Sequence, residues 1–244
     1  MSVHAVPVRS PQAVQPAAMR LAALAPLDPA ARHALDMAVA AARPVRVRRE
    51  LQTEGRPVQE AQLIVSGWAA RVRILLDGRR QFISFVLPGE LIGMCHQPQP
   101  LASSTVVALT NLLVATPPSP AEGDGLGRVY RISAALEEAY LLAQITRLGR
   151  LDAHERIIDL LLELEERLAL AGLADEGRFE LPLTQEMLGD VLGLTSVHIN
   201  RMLQQARRNG ELDWRNSRVH LQHSAALARS VGRASTRVTA LQGS

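Results

Sequence analysis

Ser196, Val197, Asn200 and Arg201 fall on one outward face at helical spacing, and together they hold the chemistry needed to tell base pairs apart. The guanidinium of Arg201 can fork onto guanine O6 and N7, a contact worth roughly 1–3 kcal/mol of discrimination. Asn200 can pair with adenine or bind a phosphate, and Val197 can touch a thymine methyl. Ser196 and His198 suit phosphates or base edges. Thr184, Gln185, Arg207, Arg208, Arg215 and Arg218 add donors for a sugar–phosphate backbone, contacts that position without specifying. Glu186, Asp190, Glu211 and Asp213 lie nearby, so ion pairing within the domain is a competing use for these arginines.

Presenting such a face takes two short helices and a turn, and residues 184–203 have that pattern. Thr184 is placed to cap the first helix by accepting a backbone N–H left orphaned at its start. Leu188, Val191 and Leu192 give that helix an apolar face. Gly189 is small where the second helix would cross, and Gly193 can take the positive φ of a tight turn. Leu194 fills the corner and Thr195 caps the second helix, whose inner face is Ile199, Met202, Leu203 and Ala206. This is the helix-turn-helix pattern, although αα-hairpins of other purpose share parts of it. Past Gly210, residues 211–214 and 218–221 flank a polar Arg215-Asn216-Ser217 turn, a candidate wing.

Upstream, the period changes. Residues 1–19 are rich in Pro, Ala and Gln without periodicity and are expected to be a disordered arm. Residues 19–42 are helical in pattern, broken near Leu27 and Asp28. From 44 to 116 short alternating runs, beginning with Val45-Arg46-Val47-Arg48, are separated by Gly and Pro turns, Asp77-Gly78 being the strongest hairpin signal. They read as an antiparallel barrel or roll. Residues 133–148 form a helix with Leu141, Ile145 and Leu148 on one face. A second helix over 152–170 buries Ile157, Leu160, Leu161, Leu164 and Leu168, with Glu163, Glu165, Glu166 and Arg167 expected to be largely solvated. The class is α+β, with expected units at 20–128 (the roll), 129–150 (a connecting helix), 151–223 (the winged helix-turn-helix) and 224–244 (a basic tail carrying Arg229, Arg233 and Arg237).

The chain's 244 residues allow two modest cores. No run approaches the roughly 20 apolar residues that span a bilayer, and the first 20 residues do not resemble a signal peptide. The single cysteine, Cys95, precludes an intramolecular disulfide and points to a reducing, cytoplasmic setting. Net charge is +3 and every basic side chain other than histidine is arginine, a bias in keeping with genomic codon usage. No Walker-type loop, nucleophile elbow or paired metal-ligand spacing supports an enzyme, a cofactor or a metal site. Cys95 with His96 is a remaining candidate for redox or ligand chemistry; the plainer reading is a loop with a half-buried thiol.

A β-roll, a long helix and a winged helix-turn-helix, in that order, resemble the Crp/Fnr family of bacterial transcription regulators. The resemblance runs over about residues 21–221. It is carried by Gly67-Trp68-Ala69-Ala70-Arg71, Asp77-Gly78-Arg79-Arg80-Gln81, Leu87-Pro88-Gly89-Glu90-Leu91-Ile92-Gly93, Leu151-Asp152-Ala153-His154-Glu155-Arg156-Ile157 and, most specifically, residues 183–203 with Arg207-Arg208-Asn209-Gly210. It implies a homodimer paired through Leu141, Ile145 and Leu148, a palindromic double-stranded DNA site and, for an activator, RNA polymerase as partner. Packing on the roll is the other use of those three residues. It also aligns Arg201 with the family's base-reading arginine. Departures matter too. Many members carry a glutamate at the position of Val197, which implies a different half-site. Cyclic-nucleotide binders follow the glycine at Gly93 with glutamate and later have an Arg-Ser pair; here Met94 and Ser103-Ser104 stand there, with no arginine between Arg80 and Arg128. Binding of cyclic AMP in the family's manner is therefore not expected, since an unpaired buried phosphate is costly. One cysteine also excludes the four-thiolate cluster of the iron–sulfur members. The alternative is a regulator needing an unidentified effector or redox signal near Cys95 and His96.

Overall fold

The computed structural model describes residues 15–95, 97–123 and 125–238. Most of the expected arm, and His96, lie outside them. The first helix, α1 (Pro16–Leu24), begins inside the stretch expected to be disordered, because Pro16 at its first position has the φ a helix needs and no N–H to waste. Asp28 then caps α2 (Pro29–Ala40), its carboxylate accepting from Ala31 N at 2.8 Å.

Eight strands follow: β1 (Arg43–Val45), β2 (Glu50–Gln52), β3 (Gln62–Ser66), β4 (Ala69–Ile74), β5 (Arg80–Val86), β6 (Leu91–Ile92), β7 (Thr105–Ala108) and β8 (Leu112–Ala115). They form two antiparallel sheets, β1-β8-β3-β6 and β2-β7-β4-β5. Ile64, Ala69, Val86, Ile92, Val106, Ala108, Leu112 and Val114 fill a core of the roll. The run expected as a strand over residues 45–48 is instead mostly a turn: pairing with β8 stops at Val45, and Arg48 takes φ 67°. The alternation there comes from valines and arginines that are largely exposed on both sides.

α3 (Leu126–Arg150) starts earlier than its apolar pattern suggested, and α4 (Ala153–Leu170) follows after a capping box at Asp152 and Glu155. The closing domain holds β9 (Ala174–Asp175), β10 (Arg178–Glu180), α5 (Gln185–Leu192), α6 (Ser196–Arg208), β11 (Leu212–Arg215), β12 (Arg218–Leu221) and α7 (Ser224–Ser230), with sheet order β11-β12-β10-β9. Its core is continuous with Trp68, Phe82, Phe85 and Leu87 of the roll, so β5 and the closing domain share one apolar interior.

Glu163 and Arg167 correct the expectation of a solvated face on α4; both are buried. Arg167 reaches Glu90 at 2.7 Å, Glu163 at 2.9 Å and the Phe85 carbonyl at 2.7 Å, and stacks 4.6 Å from the centre of the Tyr140 ring. Arg147 of α3 binds Glu163 at 2.5 Å and Asp159 at 2.7 Å. Arg233, in the tail, closes on Asp159 at 3.2 Å and Glu166 at 3.0 Å. At the other end Arg20 of α1 donates to the Gly89 carbonyl at 2.7 Å and stands 3.6 Å from Glu90. Burial opposes ionisation of Glu90, yet Arg167 and Arg20 outweigh it and hold the carboxyl below its usual range. Burial also pushes the Tyr140 phenol up to about 12.

Candidate DNA-binding interface

The reading face is assembled by short-range rules. Thr184 Oγ1 accepts from Met187 N at 3.2 Å, and Thr195 Oγ1 from His198 N at 3.2 Å, so each helix start satisfies a backbone donor locally. Gly193 ends α5 at φ 66°, and Gly189 faces the turn so closely that a Cβ there would stand 2.5 Å from the Leu194 carbonyl oxygen. Only glycine permits that approach. Ile199, Leu203 and Ala206 bury the inner face of α6. Outward lie Ser196, Val197, Asn200, Arg201 and Gln204, with Val197 81% exposed, an unusual display for a branched apolar side chain.

Two contacts order this face. The Arg201 guanidinium donates to His198 Nε2 at 3.2 Å, and Gln204 Nε2 donates to Asn200 Oδ1 at 2.8 Å. The wing turn places Asn216 at φ 49° and Ser217 at φ 60°, the paired positive values of a tight two-residue hairpin. Arg207 donates to the Trp214 carbonyl at 2.6 Å, tying the end of α6 to β11. Arg215 pairs with Asp213 at 3.0 Å, both largely exposed, whereas among the described residues Arg208 and Arg218 have no side-chain partner. Gln185 is exposed at the start of α5.

The far side of α5 is held by the roll and by α3. Arg80 pairs with Asp190 and, at 3.0 Å, with Glu186. Gln144 donates to the Val191 carbonyl at 2.6 Å, Gln81 to the same oxygen at 3.3 Å, and Arg156 to the Leu192 carbonyl at 3.2 Å, so orphan carbonyls at the end of α5 are met by three other elements. Glu186 and Asp190 thus pair with an arginine 106 and 110 residues upstream, not with the neighbouring arginines that sequence proximity suggested. On α3, Ile145 is 68% exposed while Leu141 and Leu148 are half-buried; Leu142, missed in the sequence pattern, is 58% exposed beside them. Its signal was available, since Leu142, Ile145 and Gly149 recur at three- and four-residue steps.

Two corrections concern the sensor half. Cys95 is exposed, not half-buried. A cavity of about 360 Å³ is lined by Gly93, Met94, Cys95 and Ser103, and it holds a guanidinium after all: Arg71 reaches in from β4 and pairs with Glu137 of α3 at 2.5 Å. Burial raises the Glu137 carboxyl above its usual range although Arg71 opposes this. The charge in the cavity is therefore already matched. Among the described residues no helix is long and apolar enough to cross a membrane, and no group of three or more His, Cys, Asp or Glu gathers as a metal site.

A model of the Crp-like helix-turn-helix domain matches residues 155–230, which span α4, the reading helices and the wing. The solved structure of FixK2 from Bradyrhizobium japonicum superposes on 80% of this chain and 99% of its own, with TM-score 0.65 and 26% identity. The chain is thus similar to Crp/Fnr transcription regulators in its C-terminal residues and in its overall fold. Curated Crp/Fnr relatives include the transcriptional activator protein FnrL of Cereibacter sphaeroides, 28% identical over 60% of this chain and 62% of its own. Another is the nitrogen fixation regulation protein FixK of Bradyrhizobium diazoefficiens, 30% identical over 61% and 64%. The chain thus spans slightly under two thirds of the length of these two relatives. The superposition with FixK2 extends over 80% of the chain, so it takes in more than the reading helices and the wing.

Proposed function

We propose that this chain is a transcription regulator of the Crp/Fnr type that binds a palindromic double-stranded DNA site as a homodimer, by recognition and not catalysis, in the cytoplasm. The carrying observation is the capped α6 with Ser196, Val197, Asn200 and Arg201 displayed on its open face beside a formed wing. Thr184, Gln185, His198, Arg207, Arg208, Arg215 and Arg218 surround that face as backbone contacts, Arg208 and Arg218 being the least committed inside the protein. Pairing runs along α3: Ile145 with Leu141 and Leu148 falls at heptad a and d positions, and Ile at a with Leu at d favours two parallel strands. Such pairing suits two reading helices about 34 Å apart, one turn of DNA. If the protein activates, RNA polymerase is the further partner.

Cyclic AMP is not required in this reading, because Arg71 is neutralised by Glu137 and Met94 replaces a ribose-holding carboxylate. A second reading, an unidentified effector or redox signal acting near Cys95 and His96, is favoured by the size of the cavity that Cys95 lines. Selection from random duplex DNA on the purified protein, without added ligand, tests the proposal. Recovery of one two-fold symmetric site is expected; no enrichment from a folded dimer would overturn effector-independent binding.

A further inference from the structure

His198 is half-buried at the start of α6, and its Nε2 lies 3.2 Å from Arg201 Nη2. An arginine can only donate. The imidazole nitrogen must therefore carry a lone pair, and the contact exists only with the neutral ring, its proton on Nδ1. One N–H of Nη2 is then spent on His198, while the other and those of Nη1 remain free to fork end-on to guanine. Resting on the reading of Arg201 as a base-contacting residue, we propose that His198 is a positioning residue: neutral His198 holds the Arg201 fork ready for guanine, and its protonation releases it.

The ionisable groups of the elements packed on α6 have other partners. On α5, Glu186 and Asp190 pair with Arg80; on β11, Asp213 pairs with Arg215. On α4, His154 bonds Glu211, Glu155 caps its own helix and Arg156 donates to the Leu151 and Leu192 carbonyls. Asp159, Glu163, Glu166 and Arg167 belong to the buried network, and Glu165 accepts from Ser224. Protonation would place an imidazolium against a guanidinium, with two donors facing and no acceptor between them. A charged His198 is instead a phosphate ligand, which attracts every DNA sequence alike.

The expected size follows from what ordering one long side chain costs. Pre-ordering the fork saves about a two- to tenfold factor in discrimination, a part of the whole Arg201 contact. The experiment measures the affinity ratio between the selected site and the same site with the guanine pair of each half-site replaced, from pH 8 to pH 5.5, a range over which imidazoles change charge. In the native protein the ratio should fall about two- to tenfold as pH is lowered, while affinity for random DNA rises. His198→Ala should show the reduced ratio at pH 8 with little further pH response. His198→Gln, which keeps a neutral acceptor, should restore the ratio and flatten the profile. A uniform loss of affinity for all sequences in His198→Ala, with the ratio unchanged, would make His198 a phosphate contact only and overturn the proposal. Arg201→Ala is measured in parallel: an unchanged ratio there would refute the base-reading role and this inference with it. Loss in Arg201→Ala but not in His198→Ala refutes the inference alone.

Discussion

Arg167→Met probes the buried charges most directly. The guanidinium bonds two carboxylates and one carbonyl in the interior and lies on the Tyr140 ring. Methionine keeps much of the stem's volume and none of its donors. Glu163 retains Arg147 at 2.5 Å, but Glu90 is left with Arg20 at 3.6 Å as its nearest cation. Removing one partner of a buried pair costs about 3–5 kcal/mol, because the remaining charge is stranded. For a chain of this length each kcal/mol moves the melting temperature about 2–4 °C, so a drop of about 6–20 °C is expected by calorimetry at pH 7. The pH dependence adds a second check. In the native protein Glu90 is held below its ordinary value of 4.5, so its contribution is present above that value and fades as pH falls through the lower, folded one. Without Arg167, burial dominates and the carboxyl titrates above 4.5; protonation then relieves the variant. The deficit should be greatest near neutrality and shrink toward pH 4. A loss below about 1 kcal/mol, or a deficit that grows on acidification, would refute the stranded-carboxylate reasoning.

Gly189→Ala puts a methyl 2.5 Å from the Leu194 carbonyl oxygen, so denaturant titration should show about 1–3 kcal/mol of lost stability and DNA binding should weaken with it. Ile145→Asp sets a charge on an exposed face of α3; sedimentation should report monomers with unchanged helix content, and an intact dimer would remove α3 from the interface. Val197→Glu supplies an acceptor for cytosine N4, so repeated selection should return a half-site altered at one base pair, and an unaltered site would show that position 197 does not face bases.

The reading helices were legible because everything that shapes them is local. Thr184, Gly189, Gly193 and Thr195 act on backbone groups within a few residues, so spacing alone carries the instruction. Arg167 and Glu163 were not legible for the opposite reason. They interrupt a leucine-rich helix just as surface charges do, and the partners that bury them, Glu90 and Arg147, lie 77 and 16 residues away. Arg71 escaped in the same manner, because β4 supplies it from across the cavity and the loop that would hold a phosphate carries no arginine of its own. Residues 45–48 misled because alternation between valine and arginine describes a strand only when one face has something to bury against.

The ion chain from Arg20 through Glu90, Arg167, Glu163, Arg147 and Asp159 to Arg233 ties the roll and its leading helix to α3, α4 and the tail. Cut after α3, the reading half would carry away Glu163 and Asp159 and leave Arg147 behind. A recombination event that grafts a relative's reading half onto this roll therefore inherits unmatched buried charge unless both sides of the seam are exchanged together. The halves look interchangeable in outline, but they are heritable only as a set.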